Sequence, residues 1–190
     1  GTGIDVTSQI TGVVPAANLG TGTASSSTVL YGDGTFKAEP GGVNTPSFHA
    51  TMSADQTGAT NDTFTKITFD TETYDSDSTY DHATNYRWTP AVAGKYFISA
   101  QVDLRDNGAN EDLQLKSIAI YKNGSIFRTA QFKTSSGDYI AGNVPQTASI
   151  SEILSLNTTD YIEIFAKAYN KTWDCEADNS MFFGFLVGGA

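Results

Sequence analysis

Residues 95–104 read Lys-Tyr-Phe-Ile-Ser-Ala-Gln-Val-Asp-Leu, and the alternation within them decides the fold class. Tyr96, Ile98, Ala100, Val102 and Leu104 fall on one side of an extended chain, with Lys95, Ser99, Gln101 and Asp103 on the other. Side chains of a strand alternate with period two, so this pattern describes a sheet with one face in a core. Farther along, Asn123-Gly124 separates IAIYK from SIFRTAQ. That dipeptide is a strong hairpin signal, because both residues tolerate the positive φ of a type I′ turn. Segments 47–52, 64–70, 84–90, 147–154 and 160–169 supply further strand expectations between turn-forming residues. No stretch combines good helix formers at helical period, so helix content is expected to be very small. Short strands at this spacing describe an all-β sandwich or jelly roll.

Two strands break the one-sided pattern. In 160–169 a core stripe of Ile162, Ile164, Ala166 and Ala168 is backed by Tyr161, Phe165 and Tyr169, with Glu163 and Lys167 between them. In 181–187, MFFGFLV, both faces are apolar. A sandwich covers one face of such a strand, and a second apolar face of that size is unusual on a monomer. Self-association is the simplest cover, a long loop of the chain itself the other, and the first makes Tyr161, Phe165, Tyr169, Phe182, Phe183 and Phe185 the candidate interface residues.

Composition narrows the function classes. The chain has 190 residues, 39% hydrophobic and only 17% charged, with Ser, Thr, Gly, Asn and aromatics in place of charges. Its net charge is −10 and its 11 basic residues are scattered. Nucleic-acid binding through phosphates needs a basic patch, and anionic membranes need the same sign, so neither partner is expected. No apolar run approaches the ~20 residues of a membrane span. Cys175 is the single cysteine, read as an isolated structural or loop thiol. The only histidines, His49 and His82, sit in no catalytic motif, and nothing among the 21 acidic residues singles out an acid and a nucleophile. No enzyme activity and no cofactor are expected. The start at Gly1-Thr2-Gly3, without an initiator methionine, is that expected of a piece of a longer protein.

Residues 1–45 have a different chemistry. Small residues and turn dipeptides surround isolated apolar points at Ile10, Val13, Val14, Leu19, Val29, Leu30 and Phe36. Alone, such a segment cannot bury enough apolar surface to offset its ordering entropy. It reads as a stem or linker whose short extended pieces meet partner chains around an axis. Val14-Pro15-Ala16-Ala17-Asn18-Leu19-Gly20 through Gly32-Asp33-Gly34-Thr35-Phe36 resembles the collar-to-tip wording of bacteriophage tail fibres.

Residues 46–190 resemble another family. Phe69, Tyr80-Asp81, Trp88, then Gly94, Tyr96 and Ile98 follow the motif of the complement-type globular head, a TNF-like jelly roll. Phe182-Phe183-Gly184-Phe185-Leu186 is similar to that family's C-terminal strand. The resemblance implies a sandwich of about ten antiparallel strands assembling as a homotrimer, with a binding role carried by apical loops. Together the two resemblances imply a trimeric head at the tip of a phage fibre. It would sit on the virion surface, bind a host-surface glycan or protein, or register the fibre trimer with other fibre or tail proteins. The alternative is a secreted or spore-surface binding module on a cellular stalk; residues 1–45 lack the G-X-Y period of a collagenous one.

Candidate loop residues complete the expectation. Asp75, Asp77 and Asp81 could offer oxygen ligands to calcium, although the spacing is not that of an EF-hand. Tyr80, Asp106, Asn107 and Trp173 are the candidate ligand-loop residues. Trp173 stands in a polar segment, 171–180, where it is either an exposed sugar-stacking platform or interface anchor, or tucked against the end of the sandwich. The run 105–112 is expected to be an exposed loop.

Overall fold

The computed structural model describes Pro15 and residues 18–38, 45–107, 113–133 and 146–189. The chain divides into two units, Gly1–Val43 and Asn44–Ala190.

In the first unit, β1 (Thr28–Leu30) and β2 (Phe36–Ala38) form an antiparallel hairpin, with Leu30 opposite Phe36. The turn is built by Gly32-Asp33-Gly34. Asp33 Oδ1 accepts the Thr35 N–H at 3.0 Å, and Oδ2 pairs with Lys37 Nζ at 2.5 Å. Those bonds hold the Asp33 carboxyl below its ordinary pKa. Leu19, Val29 and Leu30 stay exposed, so this hairpin has no core of its own, and an isolated hairpin is marginal in water. Ile10, Val13 and Val14 lie outside the described residues.

The second unit is a sandwich of two antiparallel six-stranded sheets, and no described residue is in an α-helix. Its strands are β3 (Ser47–Thr51), β4 (Gln56–Ala59), β5 (Thr65–Lys66), β6 (Thr71–Asp75), β7 (Tyr80–Asp81), β8 (Arg87–Trp88), β9 (Gly94–Asp106), β10 (Leu115–Lys122), β11 (Ser125–Lys133), β12 (Gln146–Leu156), β13 (Ile162–Tyr169) and β14 (Trp173–Gly189). One sheet has the order β12-β9-β14-β3-β6 with β4 on β14; we call it the long-strand sheet. The other, the hairpin sheet, has the order β11-β10-β13-β8-β7 with β5 on β13. Each sheet is stitched from both halves of the sequence, so the fold closes through distant pairings.

The alternation in 95–104 places Tyr96, Ile98, Ala100, Val102 and Leu104 in the core at 0–1% exposure. Facing them across the sandwich are Ile118 and Ile120 of β10 and Ile162, Ile164, Ala166 and Ala168 of β13. Asn123 and Gly124 turn β10 into β11 with φ of 54° and 75°, as a type I′ hairpin requires. Segments 64–70 and 84–90 prove mostly irregular, keeping only the two-residue β5 and β8. Their buried side chains, Ile67, Phe69 and Trp88, nevertheless enter the core.

At the core centre Phe182 meets Phe48 edge-on at 4.8 Å, Phe69 at 5.8 Å and Tyr80 at 6.0 Å. Phe48 in turn stacks on Trp88 at 4.8 Å. Gly184 lets these groups close up. A Cβ there would stand 2.6 Å from Ile98 Cδ1 and 3.0 Å from Phe48 Cε1.

Asp160 fastens the loop before β13 to the β10–β11 turn. It accepts the Asn157 N–H at 2.8 Å and the Asn123 side-chain amide at 2.7 Å, and pairs with Lys122 at 2.9 Å. The backbone bond first, then the amide and the ammonium, depress its pKa to about 2. A depressed carboxyl stabilises the fold above its unfolded pKa, and that contribution fades as pH falls through the folded value. Asp160→Asn is therefore expected to cost about 1–2 kcal/mol at pH 7. The deficit should shrink between roughly pH 4 and pH 2. Urea melts of both proteins across that range check it.

Candidate functional site

The outer face of the long-strand sheet is where residues accumulate that the core does not use. Period two sends Phe182, Gly184 and Leu186 of β14 inward and Met181, Phe183 and Phe185 outward. Phe185 is paired across the sheet with Phe97 of β9, and Phe97 with Ile153 of β12. Phe183 is paired with His49 of β3, and His49 with Tyr74 of β6. Ring centroids run Tyr74–His49 6.0 Å, His49–Phe183 5.9 Å, Phe183–Phe97 6.3 Å and Phe97–Phe185 5.3 Å. Tyr74 is 50% exposed, Ile153 55% and Val187 52%. This is one contiguous face whose rings span four strands, with Ile153 of β12 extending it to a fifth.

Farther along β9 and β14 the same face turns polar. Arg105 pairs with Glu176 at 2.5 Å, Asp55 at 3.2 Å and Asp174 at 3.7 Å, while Asp103, directly opposite Glu176, is 3% exposed. Burial above all raises the Glu176 pKa, against the pull of Arg105. One guanidinium thus balances a group of half-buried carboxylates. Arg105→Met is expected to lower stability by about 2 kcal/mol, because the carboxylates stay buried without their cation. Thermal melts at pH 7 should show the loss, and milder acid should reduce it as Glu176 takes a proton.

The expected interface residues divide between opposite sides of the sandwich. Phe183 and Phe185 lie on the aromatic face, but Phe182 is at 0% exposure in the core, as its inward parity dictates. Tyr161, Phe165 and Tyr169 belong to the outer face of the hairpin sheet. There Phe165 stacks on Tyr121 at 3.9 Å, with Lys66 Nζ 5.8 Å from its ring, and Arg87 lies over Tyr161 at 4.3 Å. The chain's own side chains cover much of that face; Tyr169 stays 47% exposed. The two groups therefore lie on opposite outer faces of the head. Phe97, His49, Tyr74 and Ile153, which share a face with Phe183 and Phe185, were not singled out by the sequence. Phe97 alone carried a signal, as an aromatic in the outward row of 95–104.

The loop candidates also move. Trp173 begins β14 and is fully buried, its Nε1–H donating to Thr60 O at 3.2 Å. The supposed polar loop 171–180 is mostly strand, because β9 and β4 supply partners that the local sequence does not reveal. Tyr80 is 5% exposed and donates to Phe69 O at 2.9 Å; burial raises its phenol pKa. Asp106 is buried at the end of β9. Asn107 is exposed and donates to Asp174 Oδ1 at 2.6 Å. Residues 108–112 lie outside the described residues.

The three candidate calcium ligands spend their oxygens on their own turns. Asp75 accepts the backbone N–H groups of Asp77, Thr79 and Tyr80, and Asp77 accepts the Ser76 hydroxyl. Asp81 accepts N–H groups of Ala83 and Thr84 and the Asn85 amide, bonds that lower its pKa. Among the described residues no group of three or more His, Cys, Asp or Glu is placed to hold a metal. Cys175 is buried, its thiol pushed up to about 12 by burial. A thiol so raised is not a nucleophile at neutral pH.

No protein-family model matches the chain, and no curated protein matches it. Solved structures do. The globular domain of zebrafish complement 1qA protein superposes with a TM-score of 0.51 at 16% identity, covering 76% of this chain and 99% of that one. The Eiger TNF from S. frugiperda superposes with a TM-score of 0.53 at 12% identity, covering 76% and 92%. The fold is therefore a complement-head/TNF-like jelly roll, as the motif from Phe69 to Leu186 implied. At these identities the likeness concerns the fold alone.

Proposed function

We propose that the chain is a non-catalytic virion component, the trimeric tip or appendage of a phage fibre. In this reading the head of residues 46–190 binds the host surface or caps and registers the fibre. The observation that carries the assembly is the aromatic face on which Phe97, Phe183 and Phe185 stay half-buried beside the exposed Tyr74, Ile153 and Val187. A second apolar surface lies elsewhere on the same head, at the edge strand β11, where Ile126, Phe127 and Phe132 are 53%, 43% and 39% exposed. A contact between that face on one copy and this edge on the next would be head-to-tail, which closes a ring when the rotation between copies closes. Three copies is the number that the fold resemblance implies.

The stem wording between Val14 and Phe36 supports the fibre context. A trimeric tip would work by avidity, three weak sites at fixed separation raising overall binding without strong single contacts. The same jelly roll would equally serve a secreted or spore-surface module, and the stem is what favours the virion. Light scattering of the whole chain and of a chain lacking residues 1–45 tests the assembly. Both are expected at trimer mass. A monomeric head would overturn the reading, and a whole chain that trimerises only through its stem would move the association out of the head.

A further inference from the structure

Carboxylates hold two of the three arginines, Arg105 through Glu176, Asp55 and Asp174, and Arg128 through Glu152 at 2.7 Å. Arg87 is the exception. Among the described residues no carboxylate pairs with its guanidinium, and no acceptor takes a hydrogen bond from its side chain. Acids are not scarce in a chain with 21 of them, but those on the neighbouring strands are engaged elsewhere. Asp81, directly across from Arg87 on β7, accepts from Ala83, Thr84 and Asn85. Glu163 of β13 takes Lys66 at 2.5 Å.

What holds Arg87 is a ring. Trp88 enters the core, so period two turns Arg87 to the outer face of the hairpin sheet, where its guanidinium lies 4.3 Å from the Tyr161 ring centroid. That contact leaves the donors of the guanidinium fork without an oxygen. The position is fixed from both sides. Asn85 Nδ2 donates to Asp81 Oδ2 at 2.6 Å, and Asn85 O accepts Lys66 Nζ at 3.2 Å. Tyr86, between Asn85 and Arg87, takes a φ of 50°, a strained conformation for a bulky residue and one that clusters at ligand sites. Tyr161 N–H donates to Asn123 Oδ1 at 2.9 Å, while its phenol oxygen has no partner among the described residues. A fork held this way loses little entropy when a ligand arrives. The site also stays open in the assembly, since β8 lies three strands from the edge strand β11 and on the other sheet from Phe183.

The surroundings select a ligand class. A guanidinium fork matches a carboxylate, which it binds through two parallel N–H···O bonds. Asp81 and Glu163 on the adjacent strands repel a ligand of high negative charge, so one carboxylate on an otherwise neutral molecule is what the site admits. β7, the edge of the sheet here, is two residues long and gives an extended peptide no ladder to join. The unpartnered Tyr161 phenol suits a hydroxyl beside the carboxylate. A lone carboxylate among hydroxyls is the chemistry of an acidic sugar. We infer that Arg87, seated on Tyr161, takes the carboxylate of a sialate or uronate unit of a surface glycan; this rests on reading the head as a binding module.

The test is saturation-transfer NMR on the 190-residue chain. The probes are the methyl glycosides of N-acetylneuraminic acid and glucuronic acid, each set against its methyl ester, with triglutamate and inorganic sulfate as competing anions. At least one acidic glycoside is expected to bind with a Kd of about 1 mM, and its ester about tenfold more weakly. Arg87→Ala should abolish the signal. Arg87→Lys keeps the charge but loses the fork, and should weaken binding about tenfold. Melting temperature and light scattering on the same samples show that both variants keep the fold and the wild-type mass. The inference fails if no acidic glycoside binds, if the esters bind as well as the acids, if triglutamate or sulfate displaces the sugar at lower concentration than the sugar itself needs, or if neither substitution changes binding. A trimer that binds no acidic glycoside would overturn this site alone. A monomer that binds one would support the site while overturning the trimer.

Discussion

Phe182→Ala is expected to destabilise the head by about 3–5 kcal/mol, the range for emptying an aromatic site in a packed core. Phe182 touches Phe48, Phe69 and Tyr80, three rings delivered by β3, by the irregular segment before β6, and by β7 of the other sheet. Its removal leaves Phe48 without its edge-on partner and opens a void between the sheets. Relaxation can close little of that void, because Gly184 already draws Ile98 and Phe48 as near as packing permits. Phe182→Leu keeps more of the volume and should lose roughly half as much. Urea denaturation at one fixed protein concentration is the measurement, since assembly would otherwise mix with folding. An alanine loss below about 1 kcal/mol would mean that the inward parity of Phe182 is wrong.

Phe183→Asp, one residue along, is expected to do the reverse, leaving the fold intact and removing the proposed trimer. Phe183 is half-buried on the outer face between His49 and Phe97. In an isolated head a carboxylate there meets water at little cost. In an assembly it is trapped without a partner, at about 3–5 kcal/mol for each contact. A closed ring repeats that contact three times, enough to shift association by many powers of ten. Light scattering at micromolar concentration should report a monomer with a nearly unchanged far-ultraviolet spectrum. Phe165→Ser, on the opposite outer face, should remain trimeric. Dissociation by Phe165→Ser and not by Phe183→Asp would assign the interface to the hairpin sheet instead.

These two substitutions mark how far the residues could be read without the fold. Adjacent phenylalanines in MFFGFLV have opposite roles, and period two says that they must differ. It does not say which one is inside. The β14–β9 and β14–β3 pairings decide that, by setting Phe182 against Ala100 and Ala50 and Phe183 against Ser99 and His49. Trp173 shows the same limit. Its neighbours, KT and DCEAD, are polar in a row, and only the pairing with β9 and β4 converts them to strand and sinks the indole.

By itself, the sequence determined an all-β sandwich, its type I′ turn at Asn123-Gly124, the core stripes of β9 and β13, and an excess of aromatic side chains over what one core can use. All of these follow from rules of short range: alternation, turn chemistry and composition. Only the tertiary structure decided that Tyr161, Phe165 and Tyr169 lie across the molecule from Phe183 and Phe185. It alone brought Phe97, His49, Tyr74 and Ile153 into one face with the latter pair. Which side of a sheet a residue shares with another is fixed by strand order and register. Those are set by contacts between residues far apart in the chain, where no local pattern reaches.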